Sequence, residues 1–117
     1  MGGGSSVMGM IAYRGTPDDY AEWEQMGATG WGWNDVLPFY KKVETDFDFG
    51  GDAHGKEGLV PIRRTRQEDW APLSKAIYEY AQERQIPFLA DMNNDFRDGY
   101  GAVPQSNWPD KRASSAI

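Results

Sequence analysis

The residue types that most often carry chemistry are scarce in this sequence. It has a single histidine, His54, and no cysteine. A catalytic triad built on histidine, a histidine pair and a two-histidine metal site are therefore excluded, as are thiolate zinc sites and cysteine nucleophiles. His54 lies among Asp52, Ala53 and Gly55, which is typical of a turn and indicates a structural role. We predict no catalytic residue in this chain.

An acidic segment at residues 91–96 invites comparison with a calcium-binding loop. Acidic and amide side chains recur at alternate positions from Asp91. The sixth position, however, is Phe96 where the sharp turn of such a loop needs glycine, and the twelfth is Ala102 where a bidentate glutamate is needed. We therefore predict no metal site here or elsewhere in the chain.

The glycine- and serine-rich stretch at the start of the sequence, residues 2–10, is the remaining candidate. Composition alone favours a flexible linker. Glycines also allow a backbone to approach a large ligand closely, and neighbouring amides and small hydroxyls can satisfy phosphate or ring oxygens. The stretch is not the dinucleotide fingerprint, because Gly2, Gly4 and Val7 miss its third glycine and no strand precedes them.

Periodicity and capping signals predict the elements that position these residues. Thr16 is expected to cap a helix that begins at Pro17 and stops at Gly27. The fold class predicted is α+β, with three to four helices and a short antiparallel strand pair. The further expected elements are helices from Asn34 to Val43, from about Trp70 to Arg84 and from Arg112 to Ile117, and strands at 59–62 and 100–108.

Composition sets broad limits on the class of protein. The 117 residues fit one small domain, and a formal net charge of −6 disfavours nucleic-acid and anionic lipid surfaces. No apolar run approaches the roughly 20 residues that a membrane-spanning helix needs. The absence of cysteine permits a reducing compartment, and we predict a cytoplasmic location.

Six signatures in order along the chain resemble those of the glucose-methanol-choline (GMC) oxidoreductases, most closely their choline-dehydrogenase-like branch. They cover essentially the whole sequence, and their order and spacing make them more specific than any one alone. The signatures are G-G-G-S-S-V-M-G-M at 2–10, Y-R-G at 13–15, D-Y-x-x-W at 19–23, W-x-W-x-D-V-L-P-F-Y-K-K-x-E at 31–44, H-G-x-x-G at 54–58 and K-R-A-S-S-A at 111–116.

The resemblance implies a flavoenzyme that binds FAD and oxidises a small-molecule alcohol to a carbonyl compound, with hydride passing to the flavin. It implies that residues 1–15 contact the flavin, that 16–58 form lid-like helices and a loop, and that 59–117 belong to a substrate-side cap. The family's nucleotide-binding unit and catalytic histidine are expected outside this segment, which makes the chain an internal fragment, inactive alone. The implied cofactor contacts are Gly2, Gly3, Gly4, Ser5, Ser6, Met8, Gly9 and Met10.

Two departures from the family pattern affect the expected flavin site. Relatives usually have asparagine at the position of Met8, and a thioether cannot donate the hydrogen bond that an amide donates. Some relatives attach the flavin through a histidine at the position of Val7, so FAD is expected to bind here non-covalently.

A second hypothesis is a non-catalytic interaction module of the same origin that self-associates into a homo-oligomer through exposed strand edges and helix faces.

Overall fold

The computed structural model describes residues 3–114. Four α-helices and two pairs of short strands make up this part of the chain, which confirms the α+β class. The elements are α1 (Gly4–Val7), α2 (Pro17–Gln25), α3 (Trp33–Val43), β1 (Glu44–Asp46), β2 (Val60–Ile62), a 3-10 helix (Gln67–Asp69), α4 (Pro72–Glu83), β3 (Phe88–Leu89) and β4 (Tyr100–Gly101).

Helix α2 begins and ends where the sequence predicts. The Thr16 hydroxyl accepts a hydrogen bond from the Asp19 amide at 3.2 Å, and the Asp19 carboxylate accepts one from the Thr16 amide at 2.6 Å. This reciprocal capping box satisfies amide donors that the first turn of a helix leaves unpaired. The Thr16 amide also lowers the pKa of Asp19. Gly27, with φ of 102°, ends the helix in a conformation that glycine adopts without strain.

Helices α3 and α4 are also confirmed, but their apolar stripes are largely exposed. On α4, Leu73 is 72% exposed and Ile77 55%, and Ala81 is the buried residue of that helix. On α3, Phe39 is 69% exposed. The 3.6-residue periodicity therefore placed these side chains on one face correctly, but the described elements do not cover that face.

The strands pair differently from the prediction. The ladders are parallel: β1 pairs with β2, and β3 pairs with β4. An antiparallel bridge links the second predicted strand to Arg63, the residue directly after the first, where Arg63 and Gln105 exchange backbone hydrogen bonds of 2.9 and 2.8 Å. Strand β1 escapes prediction because its residues, Glu44, Thr45 and Asp46, carry no apolar alternation.

The H-G-x-x-G signature explains how the loop between β1 and β2 returns so tightly. A Cβ added to Gly55 would lie 1.8 Å from the Lys41 carbonyl oxygen, and one added to Gly58 would lie 2.1 Å from the Val43 carbonyl carbon. Both distances are far inside van der Waals contact, so the loop packs on the end of α3 through bare backbone. This contact brings β2 alongside β1.

The end of the described chain is extended, not helical. Arg112 forms an antiparallel bridge with Asn107, and Ala113 and Ser114 continue without helical structure. The helix predicted over 112–117 is therefore wrong at its start, because the bridge captures the backbone, and 115–117 lie outside the described residues. None of the helices in the described part is long and apolar enough to span a membrane.

The interior is polar to an unusual degree for a chain of this size. Its buried apolar side chains are few, whereas charged and amide side chains occupy the centre. The buried polar residues are Arg14, Glu44, Asp46, His54, Arg64 and Asn93.

Candidate functional site

The segment predicted to contact the cofactor lies at the surface. Residues 4–7 form the short helix α1, and Val7 and Met8 are 78% and 67% exposed. Gly3, Gly4 and Gly9 are exposed as well, Ser5, Ser6 and Met10 are half-buried, and Gly2 lies outside the described residues. The predicted residues that the structure describes, from Gly3 to Met10, are therefore exposed or half-buried.

The last residues of the described chain hydrogen-bond to this segment. The Arg112 guanidinium donates to the backbone carbonyls of Ser5, at 3.3 Å, and Met8, at 2.5 Å. The Ser6 and Ser114 hydroxyls lie 2.8 Å apart. The K-R-A-S-S-A signature therefore supports the first signature across more than a hundred positions, a relationship that sequence reasoning missed.

Met10 marks a bend in the segment. Its φ of 61° is in the left-handed region, which costs a non-glycine residue of the order of 1 kcal/mol. The Met10 carbonyl accepts hydrogen bonds from the Ser106 amide at 2.8 Å and the Ser106 hydroxyl at 3.4 Å. Beyond the bend, the Ala12 amide donates to the Pro104 carbonyl at 2.9 Å. Residues 104–106 thus hold the strained conformation in place.

The outer side of the segment has room for a flat ligand. A Cβ added to Gly3 would meet no atom within 4 Å, and one added to Gly9 would meet only the Ile11 side chain at 3.8 Å. Bare backbone there, next to the exposed Val7 and Met8 side chains, suits a large ring that is apolar on its faces and polar at its edge.

Arg14 connects this segment to the interior. Its side chain is 2% exposed and donates to Glu44 Oε1 at 2.5 Å and to the Ala53 carbonyl at 2.8 Å. The guanidinium also lies over the Tyr40 ring, 5.3 Å from its centroid. The Y-R-G signature therefore places the Arg14 cation inside the fold, against Glu44, the last residue of the longest signature.

His54 is the centre of a buried group of charges that we call the buried charge cluster. Its Nδ1 lies 3.0 Å from Glu44 and 3.1 Å from Asp46, and its Nε2 lies 2.7 Å from Asp91. Arg64 bridges the same carboxylates, at 2.5 Å from Asp46 and 3.2 Å from Asp91. The members are Arg14, Glu44, Asp46, His54, Arg64 and Asp91, three cations and three carboxylates when the ring is protonated.

The cluster fixes the protonation state of its histidine. Burial alone would lower the pKa of His54, but hydrogen bonds to Asp46, Asp91 and Glu44 outweigh it and raise that pKa to about 10. Burial would likewise raise the pKa of Asp46, yet its bonds to His54 and Arg64 hold it well below the ordinary value. His54 is therefore a cation at neutral pH, and the cluster is electrically balanced.

The same residues could be taken for a metal site, since ligand atoms of Glu44, Asp46 and His54 lie within 4.8 Å of one another. A protonated imidazole has no lone pair for a metal, and the carboxylates already accept from arginine and backbone donors. The donor set suits an internal ion-pair network, and the absence of a metal remains a prediction.

The residues of the buried charge cluster lie far apart in sequence, so no local pattern identifies them as a unit. Three are in the family signatures: Arg14 in Y-R-G, Glu44 at the end of the longest motif and His54 in H-G-x-x-G. Asp91 begins the segment that resembles a calcium loop. The only available signal was that ionisable residues occur within signatures otherwise rich in glycine and aromatic side chains.

A groove of about 460 Å³ lies between α4 and the chain around β4. Aromatic and aliphatic side chains line much of it, among them Trp70, Ile77, Tyr78 and Tyr100. Thr65 and Gln105 add polar groups at its edge. Gln105 also forms a bridge with Ile11, so the groove adjoins residues 104–106, which hold the bend at Met10.

Comparison with known proteins places the whole chain in one group. The sequence profile of the GMC oxidoreductase family, N-terminal region, matches residues 1–117. The 5-(hydroxymethyl)furfural oxidase of Methylovorus sp. (strain MP688) is 42% identical over 101 residues, covering 86% of this chain and 19% of the relative. The oxygen-dependent choline dehydrogenase of Rhizobium meliloti (strain 1021) is 35% identical over 118 residues, covering 99% of this chain and 21% of the relative.

A solved structure has the same fold. Pyridoxine 4-oxidase from Mesorbium loti superposes with a TM-score of 0.86 at 26% identity, over 96% of this chain and 22% of that protein. The chain thus spans about a fifth of the length of the relatives that it matches.

Proposed function

Because the chain belongs to the GMC oxidoreductase family, we propose that it forms part of an FAD-dependent enzyme acting on the CH–OH group of an alcohol donor, and that residues 2–10 contact the flavin. Members of this family are FAD-dependent oxidoreductases. The observation that carries the proposal is the open glycine surface of residues 3–10, supported from behind by Arg112 and Ser106.

In such an enzyme, FAD held against residues 2–10 would supply the acceptor for the hydride that leaves the alcohol. The contribution of this chain is to bind and orient: Gly3, Gly4 and Gly9 leave the backbone open to a ring, and Ser5, Ser6, Met8 and Met10 complete the surface. We propose non-covalent binding, since Val7 offers no nucleophile for attachment. No proton transfer is assigned to His54, because its ring is buried and both nitrogens are occupied by carboxylates.

The proposal for the substrate stops at the class of small-molecule alcohols. The names of the relatives mention hydroxymethylfurfural, choline and pyridoxine, which differ in charge and shape. Described residues alone do not enclose a cavity that would select among them.

Binding of FAD to the protein in its natural full-length form tests the proposal. We expect a shifted and resolved visible flavin spectrum on titration. Gly9→Val should weaken binding strongly, because its side chain would project into the open surface, while far-UV circular dichroism stays unchanged. Gly50→Val, at an exposed glycine outside residues 2–10 that faces only the Lys56 side chain, is the matched control. Equal FAD binding by both variants would overturn the assignment of residues 3–10.

A second candidate function, self-association as an interaction module, is favoured by one observation. The stripes of α3 and α4, with Phe39 and Leu73 exposed, form apolar faces without a partner among the described elements. Light scattering over a range of concentrations tests this candidate, and a constant monomer mass would exclude it.

A further inference from the structure

Asn93 is the most deeply buried amide side chain of the described structure and has no role in the site as assigned so far. It lies in the loop after β3 and is 1% exposed. Its side-chain nitrogen donates to the Ala12 carbonyl at 3.0 Å, and its side-chain oxygen accepts from the Arg14 amide at 3.1 Å. Both partners lie directly after residues 2–10, about 80 positions from Asn93 in the sequence.

The geometry requires an amide. The Ala12 carbonyl is a hydrogen-bond acceptor, and the Arg14 backbone amide, two positions further along the chain, is a donor. A single side-chain group that pairs with both must therefore donate and accept, as the backbone of a neighbouring strand does. A carboxylate at this place would set an acceptor oxygen against the carbonyl oxygen of Ala12, where the amide has a donor. Reversing the amide would set donor against donor and acceptor against acceptor, which fixes its orientation.

The other end of Asn93 is anchored to the buried charge cluster. The backbone amide of Asn93 donates to Asp91 Oδ1 at 3.1 Å. The Asp91 carboxylate in turn contacts His54 at 2.7 Å and Arg64 at 3.2 Å. The Arg14 side chain reaches the same cluster through Glu44. The backbone at 12–14 is therefore fixed on two sides, directly after the bend at Met10.

We propose that Asn93 is a positioning residue that sets the register of the flavin-contacting segment, without touching the flavin itself. The inference rests on the proposed function of residues 2–10. Its physical basis is that a ligand surface made of bare backbone has few side chains to fix it, so hydrogen bonds from the interior must do so.

The test compares Asn93→Asp with Asn94→Asp in the protein in its natural full-length form. Both make the same change in neighbouring residues, but Asn94 is exposed. Hydrogen exchange, followed by mass spectrometry on the FAD-free protein, should show faster exchange at residues 9–15 in Asn93→Asp and no change in α4. The affinity for FAD should fall about tenfold in the same variant. Asn94→Asp should match the unaltered protein in both measurements.

Each other outcome has a distinct meaning. Hydrogen exchange that becomes faster equally in α4 and at residues 9–15 would overturn the positioning role. Faster exchange at residues 9–15 with an unchanged affinity for FAD would also overturn it. If the unaltered protein binds no FAD, the proposed function fails first, and the flavin role of Asn93 fails with it. Should Asn93→Asp not fold, Asn93→Ser, which is neutral and smaller, replaces it under the same criteria.

Discussion

The Nε2 atom of His54 lies 2.7 Å from Oδ2 of Asp91, a residue 37 positions further along the chain. On the opposite side of the ring, Nδ1 faces Glu44 and Asp46. One cationic ring thus ties β1, the loop after it and the loop after β3 into a single unit. The contact makes the histidine a structural centre, and several measurable consequences follow from it.

Removing the ring should destabilise the fold strongly. In His54→Ala, the buried Glu44 and Asp46 and the partly buried Asp91 would face only two arginines, and we expect a loss of about 3 kcal/mol in the free energy of unfolding. Urea denaturation followed by tryptophan fluorescence measures this loss. Glu57→Ala, at an exposed position of the same loop, should change stability by less than about 0.5 kcal/mol. Similar losses in the two variants would contradict the central role of His54.

Stability should depend on pH in a defined window. The pKa of His54 is raised from 6.5 to about 10, so its contribution is complete below pH 6.5 and is lost as the pH rises towards 10. The pKa values of Asp46, Asp91 and Glu44 are lowered from 3.8, 3.8 and 4.5, so their contributions are complete above those values and are lost in acid. We therefore expect maximal stability between about pH 4.5 and 6.5.

Urea midpoints measured from pH 3 to pH 10 check this expectation. The decline above pH 6.5 should be much weaker in His54→Ala, which has no ring to lose a proton. An alkaline decline of equal slope in both proteins would assign it to another group.

The glycines of H-G-x-x-G should not tolerate a methyl group. Gly55→Ala would place Cβ 1.8 Å from the Lys41 carbonyl oxygen, and relief requires a backbone shift between α3 and the loop. We expect a loss of about 3 kcal/mol or more, measured by thermal unfolding. Gly9→Ala would meet only the Ile11 side chain, at 3.8 Å, and serves as the control for stability. A fully stable Gly55→Ala variant would show that the close packing is not required.

Met8 offers a gain-of-binding experiment. The side chain is 67% exposed, so Met8→Asn should leave stability nearly unchanged while placing an amide donor in the segment proposed to contact the flavin. One added hydrogen bond to the flavin should increase the affinity for FAD about threefold to tenfold. Met8→Leu, which adds no donor, is the matched control. An equal gain with leucine would indicate an apolar effect instead.

Local sequence determined the three longer helices, α2, α3 and α4. The Thr16–Asp19 capping box, Pro17 and Gly27 specify α2 within a dozen residues, and apolar spacing specifies α3 and α4, because these signals act over one to three turns. The ordered signatures likewise identified the family and the glycine-rich surface segment. Whether residues 2–10 contact flavin stays a prediction.

Tertiary structure alone decided the strand pairing and the interior. The parallel pairs join residues between positions 44 and 101, and the buried charge cluster joins residues between positions 14 and 91. A buried aspartate and a solvated one look the same in sequence, since only packing removes water and supplies the opposite charge. For the same reason Asn93, first compared with a calcium ligand, emerged as an interior amide that pairs with the backbone of residues 12 and 14.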